Sequence, residues 1–367
     1  MSFLLPYDAS KNARNKYLYY FYKSLKNEKI DIISSTASWI NKSTGYEAVI
    51  IHWPEYLPSK NRNSQFEFLK FTIERLNYFK KVSRIIYFVH NEQPHTSLNK
   101  IHKKLYEAVI DSADLIFHFS NYSKDLYKLK YKFNKKQFVL SHGNYINLDN
   151  GKFEKNKFVN KYKLNPTKKI VTTIGAIRNN KEMDLLYNFS RQYLNEDCHF
   201  IYAGQLAVFT NPRSSRRFIY ILKLLIFKIF QILKKTYRIF KLKKLNKNIR
   251  IFANPISDDL LVSICKGTDV LLIIRNNSLN SGNISLGFSF GCYVVGPKYG
   301  NIGEILIQNN NMVYPLKNIR YKNIVDQSLK NMNSKIMEKN RKTALKDWDW
   351  RKLAKEFNNI LKSINSI

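Results

Sequence analysis

Apolar runs of four to six residues recur along the first half of the chain, at 30–34, 48–52, 84–89, 114–119 and 137–140, with another at 1–6. Between them lie stretches with apolar residues three and four apart, at 17–25, 64–79, 97–110 and 122–131. Short apolar runs bounded by polar clusters predict strands, and the wider spacing predicts one face of a helix. The second half repeats the rhythm. Strands are predicted at 169–174, 199–203, 249–252, 268–274 and 292–295, with a short strand or turn at 312–315. Helices are predicted from about 181 to 193 and at 257–265, 284–290, 323–338 and 350–364. Regular strand–helix alternation calls for parallel, doubly wound sheets, an α/β fold class. A polar stretch with Asn, Lys and Pro166 separates the halves. It divides the chain into a first domain at 1–150, a linker at 151–168 and a second domain at 169–340.

Chemistry gathers at predicted strand ends. In the first domain, polar and aromatic residues cluster at 52–55, 90–95 and 141–145, which a doubly wound sheet places on one edge. In the second, the segment 277–304 reads loop, helix, strand, loop, with a lone acid at Glu304. Asn, Ser and Gly crowd its start, as a helix cap requires. The backbone N–H groups at 282–285 then face the space beyond the 268–274 strand, an arrangement suited to a phosphate. Short of that, the same residues are a helix cap and a turn.

Charge changes the picture. The 367 residues carry 62 Lys and Arg against 27 Asp and Glu, a formal net charge of +35. Such a field favours phosphorylated ligands, anionic membrane or nucleic acid. Residues 206–248 break the strand–helix rhythm with a basic, acid-free, aliphatic-rich stretch. We read it as an amphipathic insertion that binds an anionic membrane surface, its basic side chains snorkelling past Ile, Leu and Phe. A helix or helical hairpin packed on the domain is the plainer alternative. Cys198, Cys265 and Cys292 show neither metal-ligand nor disulfide spacing, which fits a reducing cytoplasm. The first ten residues lack a signal-peptide pattern, and no apolar run is long enough to span a bilayer.

Three stretches together resemble glycosyltransferases of the GT-B fold, close to family 4 and its bacterial polysaccharide relatives: SGNISLGFSFG at 281–291, GPKYGNIGE at 296–304 and GAIRNNK at 175–181. The resemblance covers most of the chain and is strongest from 169 to 305. It implies two Rossmann-like domains facing a cleft, with the C-terminal segment 341–367 packing back toward the first. It makes 281–284 (Ser281, Gly282, Asn283, Ile284) the cradle of a nucleotide-sugar diphosphate, with Glu304 near the ribose. It assigns Arg178 and Lys181 to the donor phosphates, where fixed cations stabilise a diphosphate leaving group. VHNEQPH at 89–95 stands in the place of a histidine-bearing catalytic loop, with His90 first and His95 second. His90 or Glu92 would serve as base in an inverting reaction, whereas His90 would position substrate in a retaining one. Ser278 and Leu286 stand where many retaining members carry two glutamates, so both outcomes stay open. SHGNY at 141–145 makes His142 and Tyr145 cleft residues. Trp53 becomes a sugar-stacking candidate, and Asn12 and Asn15 occupy a loop facing the donor.

The resulting expectation is an enzyme that moves a hexose-like sugar from a nucleotide-diphosphate donor to a saccharide acceptor, lipid-linked, in surface polysaccharide (capsule) biosynthesis. No cofactor and no metal are expected, because Arg178, Lys181 and the helix N–H groups can supply the charge stabilisation that a metal gives in other sugar transferases. The expected partners are the nucleotide sugar, the acceptor and the membrane, with no specific nucleic acid. The expected location is the cytoplasmic face of the cell membrane. A sugar-nucleotide epimerase of similar architecture is one competing reading. A non-enzymatic basic protein binding membrane or nucleic acid is the other.

Overall fold

The computed structural model describes residues 2–10, 15–60, 64–92, 100–131, 135–192, 198–206, 217–253, 256–276 and 278–365. In chain order the first part runs β1 (Ser2–Leu5), α1 (Lys16–Asn27), β2 (Asp31–Ser34), α2 (Thr36–Asn41), β3 (Ala48–Ile51), α3 (Gln65–Val82), β4 (Arg84–Phe88), α4 (Lys100–Ser112), β5 (Leu115–His118), α5 (Asn121–Tyr131) and β6 (Lys136–Val139). Next come α6 (Lys155–Lys161), β7 (Lys169–Ile174), α7 (Asn180–Gln192), β8 (Cys198–Ala203), α8 (Arg217–Leu245), β9 (Ile249–Phe252), α9 (Asp258–Gly267) and β10 (Val270–Leu272). The chain closes with α10 (Gly282–Ser289), β11 (Tyr293–Pro297), α11 (Gly300–Gln308), β12 (Met312–Tyr314), α12 (Tyr321–Asn331), α13 (Ser334–Lys346) and α14 (Trp350–Asn365).

Two compact units result: 1–143 with 346–367, and 144–345. Each holds a six-stranded, all-parallel sheet. The first sheet has the order β2-β1-β3-β4-β5-β6, so the winding reverses between β1 and β3. The second has the order β12-β11-β10-β7-β8-β9, the 3-2-1-4-5-6 arrangement of a dinucleotide-binding fold, reversing between β7 and β10. These reversal points are where open α/β sheets leave a crevice at their carboxyl edge.

The strands are apolar because both faces are covered. β3 and β5 are buried at every position. In the first unit Phe357 of α14 sets its ring 6.3 Å from Phe3, 5.9 Å from Phe88 and 5.2 Å from Phe117. The C-terminal helix is thereby a structural layer on the first sheet. In the second unit Phe189, Phe200, Tyr314 and Tyr321 are buried in one apolar cluster beneath the sheet.

Several sequence expectations need correction. The segment 151–168 is not a linker. Phe158, Val159 and Leu164 around α6 are buried against Ile170, Ile201 and Ile264, so the second unit begins at 144. Its polar residues are simply the exposed face of a short helix. The predicted helix at 323–338 is two helices, parted where Asn333 Oδ1 accepts from the Ile336 N–H and restarts the chain as a cap. The 300–304 stretch, expected as a turn, forms the first half of α11. The 206–248 stretch contains one long helix, not a hairpin.

Candidate active site

The carboxyl ends of β7 and β10 meet the start of α10 in the second unit. They enclose a small pocket of about 20 Å³ lined by Gly175, Glu182, Tyr202, Arg275 and Asn283, among others. Gly175 has φ +129°, a conformation that L side chains rarely adopt, and a Cβ there would lie 3.0 Å from the Arg275 guanidinium. Glycine therefore lets the cation lie directly across the backbone. Arg275 donates from Nη2 to the Ala176 carbonyl at 2.7 Å, and its Nε lies 3.4 Å from Glu182 Oε1. Glu182 is itself fixed. Its N–H donates to Asn179 Oδ1 at 2.9 Å, and its Oε2 accepts from the Arg178 N–H at 2.8 Å, much as in a capping box at the start of α7. Tyr202 donates to the Gly175 carbonyl at 2.7 Å, and its burial raises the phenol pKa and keeps it neutral.

α10 is anchored at the same place. Ser281 caps it by accepting from the Asn283 N–H at 3.3 Å, and Asn283 Nδ2 donates to the Ile174 carbonyl at 2.7 Å. The loop before it is held by α11. Gly300, with φ +65°, lets its backbone approach Leu279, and the Asn301 N–H donates to the Leu279 carbonyl at 3.0 Å. A Cβ on Gly282 would come within 3.6 Å of the Tyr145 hydroxyl, so that hydroxyl borders the helix start. A positive helix end and a held guanidinium thus converge on one sheet edge, an arrangement that binds an anion.

The first unit assembles a second cluster at its own reversal point. His52, just after β3, is fully buried, and its Nδ1 lies 3.0 Å from His90 Nε2. The ring of His90 stacks on Trp53 at 3.8 Å. Tyr17 sets its ring edge-on to His52, His90 and Trp53 at 5.4, 4.9 and 5.9 Å, and lies 4.7 Å from His142. Burial pushes the His52 pKa down to about 3 and that of His142 to about 4, the latter partly opposed by its bond to the Gly143 carbonyl. Both imidazoles are neutral at neutral pH. His52 Nε2 is buried with no hydrogen-bond partner among the described residues. A bare ring nitrogen tolerates this better than an N–H would. This favours a proton on His52 Nδ1, the ring nitrogen that faces His90 Nε2.

The residues singled out in the sequence divide accordingly. Ser281, Gly282 and Asn283 stand at the α10 start, whereas Ile284 is buried in the core and its N–H donates to the Ser281 carbonyl at 3.1 Å. Arg178 precedes α7, and Lys181 is exposed on its first turn. Glu304 lies within α11, accepting from Gln308 at 3.1 Å, and is not among the pocket-lining residues. His90, Trp53 and His142 come together. Glu92 lies 3.7 Å from Lys130, which holds it as an ion pair. Asn15 is a helix cap, its Oδ1 accepting from Tyr17 and Leu18 at 3.1 and 3.4 Å. Asn12 and His95 lie outside the described residues. Sequence reasoning missed Arg275 and Glu182, and it passed over His52 as a strand end. The signal for Arg275 was a lone cation closing an apolar run at a strand's carboxyl end. No three His, Cys, Asp or Glu side chains converge into a metal site among the described residues.

No family model matches the chain, and no curated protein is similar to it in sequence. In fold, it is similar to solved structures. The Anabaena protein HepE in complex with UDP-glucose is similar over 98% of this chain and 99% of its own, with TM-score 0.64 and 12% identity. Sucrose-phosphate synthase from Thermosynechococcus elongatus is similar over the whole of both chains, with TM-score 0.67 and 10% identity. A glycosyltransferase from Rickettsia africae is similar over 94% of this chain and 87% of its own, with TM-score 0.59 and 16% identity. At these identities the likeness defines the fold: two parallel-sheet α/β domains of the GT-B type.

Proposed function

We propose that the chain is a glycosyltransferase that moves a sugar from a nucleoside-diphosphate donor to a saccharide acceptor, lipid-linked. The observation that carries this reading is the convergence of Arg275 and the α10 start on the β7/β10 reversal point. The likeness of the whole fold to proteins solved with UDP and UDP-glucose supports it. In this reading the diphosphate lies against the positive end of α10 and the Arg275 guanidinium, with Arg178 and Lys181 at the edge. These groups stabilise the charge that grows on the leaving diphosphate without reorganising. Glu182 keeps the guanidinium aimed, and Glu304 takes the ribose from one turn into α11. Tyr145 serves the donor side, because its hydroxyl borders Gly282.

In the first unit His90 positions substrate more readily than it acts as a base. Its Nε2 is already committed to His52. Glu92, paired with Lys130, is not set up as a base either. A direct test incubates labelled nucleotide sugars with lipid-linked glycan acceptors and follows label into the lipid fraction. Transfer that is lost in His90→Ala, with donor binding intact, supports the reading. Donor converted to an isomeric sugar nucleotide without any acceptor would replace it with an epimerase.

A further inference from the structure

α8, at 29 residues, is the longest helix among the described residues. Its C-terminal half is fastened to the second unit. Arg238 is buried and donates to the Leu206 carbonyl and, at 3.2 Å, to Asn180 Oδ1. Leu242 is fully buried in the core of that unit. The opposite face is apolar and uncovered. Leu225, Ile229, Phe230, Leu233, Tyr237 and Phe240 each expose more than half of their surface. On a helix of 3.6 residues per turn these side chains share one face roughly 140° wide and about 22 Å long.

Lysines border that face on both sides. Lys228 and, further round, Lys235 lie on one side and Lys234 on the other, while Lys241 sets its ammonium 4.2 Å over the Tyr187 ring and Arg238 and Leu242 point toward the unit. No acidic residue occurs anywhere between 206 and 250, where 13 Lys or Arg are found. The occupant of this face must therefore be apolar where it meets the stripe and anionic at both edges. A second copy of the chain fails the second condition, because it would bring lysine against lysine. No helix among the described residues is long and apolar enough to cross a membrane. A helix with this sidedness instead lies in the plane of a bilayer surface, its apolar face among the acyl chains and its lysines at the headgroups.

We infer that the outward face of α8 docks the protein on a bilayer rich in anionic phospholipid. This rests on α8 alone and is independent of the transferase reading, since vesicle binding requires no sugar nucleotide. The test is flotation of the full-length protein with vesicles of phosphatidylcholine, with or without about 30 mol% phosphatidylglycerol. Wild type floats with the anionic vesicles and stays behind with the neutral ones. The triple variant Leu225→Gln, Ile229→Gln, Leu233→Gln partitions at least about 100-fold more weakly, since three buried aliphatic side chains are lost from the interface. Lys228→Gln and Lys235→Gln each weaken partition about fivefold. Circular dichroism melting confirms that the variants are folded. A chain this basic attracts anionic vesicles by charge alone, so the triple variant decides. If it floats as well as wild type, or if wild type does not float, the inference is wrong. It is equally wrong if wild type is a dimer in solution and the triple variant a monomer, since the face then belongs to a second copy.

Discussion

His52 gives the sharpest test of the first unit's packing. Its imidazole is fully enclosed, and burial alone pushes its pKa down to about 3, from 6.5 in a free side chain. As pH falls, the unfolded chain takes up this proton first, so the unfolded state gains stability relative to the folded one. The contribution is complete above about pH 6.5 and is lost progressively down to about pH 3, below which it is flat. Integrated over the full shift it is about 5 kcal/mol, of which about 2 kcal/mol disappears between pH 7.5 and 5.0. The assay is urea unfolding followed by tryptophan fluorescence. All four tryptophans, Trp39, Trp53, Trp348 and Trp350, belong to the first unit, so the signal reports that unit. His118, with its pKa pushed down to about 4 by burial, adds to the same acid loss. The comparison that isolates His52 is therefore the variant His52→Asn, whose amide retains a polar group near Nδ1. Its stability should fall about 2 kcal/mol less than that of wild type between pH 7.5 and 5.0. The two proteins' absolute stabilities at pH 7.5 do not enter. Parallel pH profiles would refute the buried, neutral imidazole assigned to His52.

Other consequences are equally concrete. Arg275→Ala should weaken nucleoside-diphosphate binding roughly 10- to 100-fold, the worth of one charge-assisted hydrogen bond, with no change in the tryptophan-detected transition. Gly143→Ala places a Cβ 2.2 Å from the Trp350 ring, and it should lower the stability of the first unit by about 1–3 kcal/mol or more in the same urea assay. Gly204→Ala puts a Cβ 2.0 Å from the Gly175 carbonyl, backbone that cannot swing aside. Nucleotide binding should fall together with the melting temperature of the second unit. Asn340 is fully buried, donates to the Cys292 carbonyl at 2.8 Å and exchanges hydrogen bonds with Asn311. Asn340→Ala strands those groups and should cost about 1–3 kcal/mol, read by thermal melting.

The strands were legible because each is a short apolar run closed by polar residues, a pattern that burial on both faces forces. Sheet order was not, since alternation alone does not say where a winding reverses, and the reversal points are what locate both clusters. Ser281 and Asn283 were readable as a cap because cap chemistry is local. Arg275 was not, since its role depends on Gly175, which lies 100 residues earlier and leaves room for it. The pairing of His52 with His90 likewise joins two strand ends 38 residues apart. The opposite error befell Asn15, whose place in a polar loop hid its work as a helix cap. α8 shows a third limit. Its lysines looked scattered in the sequence because both margins and the domain-facing side carry basic residues. Only the burial of Arg238 and Leu242 reveals which side is free.

The central claim is that the β7/β10 edge of the second unit binds a nucleoside diphosphate. Calorimetric titration of the full-length protein with UDP, GDP and dTDP sugars tests it most directly, with Arg275→Ala and Glu304→Ala as controls. The account predicts saturable binding of one donor class, weakened in both variants while the fold is retained. Folded wild-type protein that binds none of them, or binds one equally well without Arg275, would contradict it.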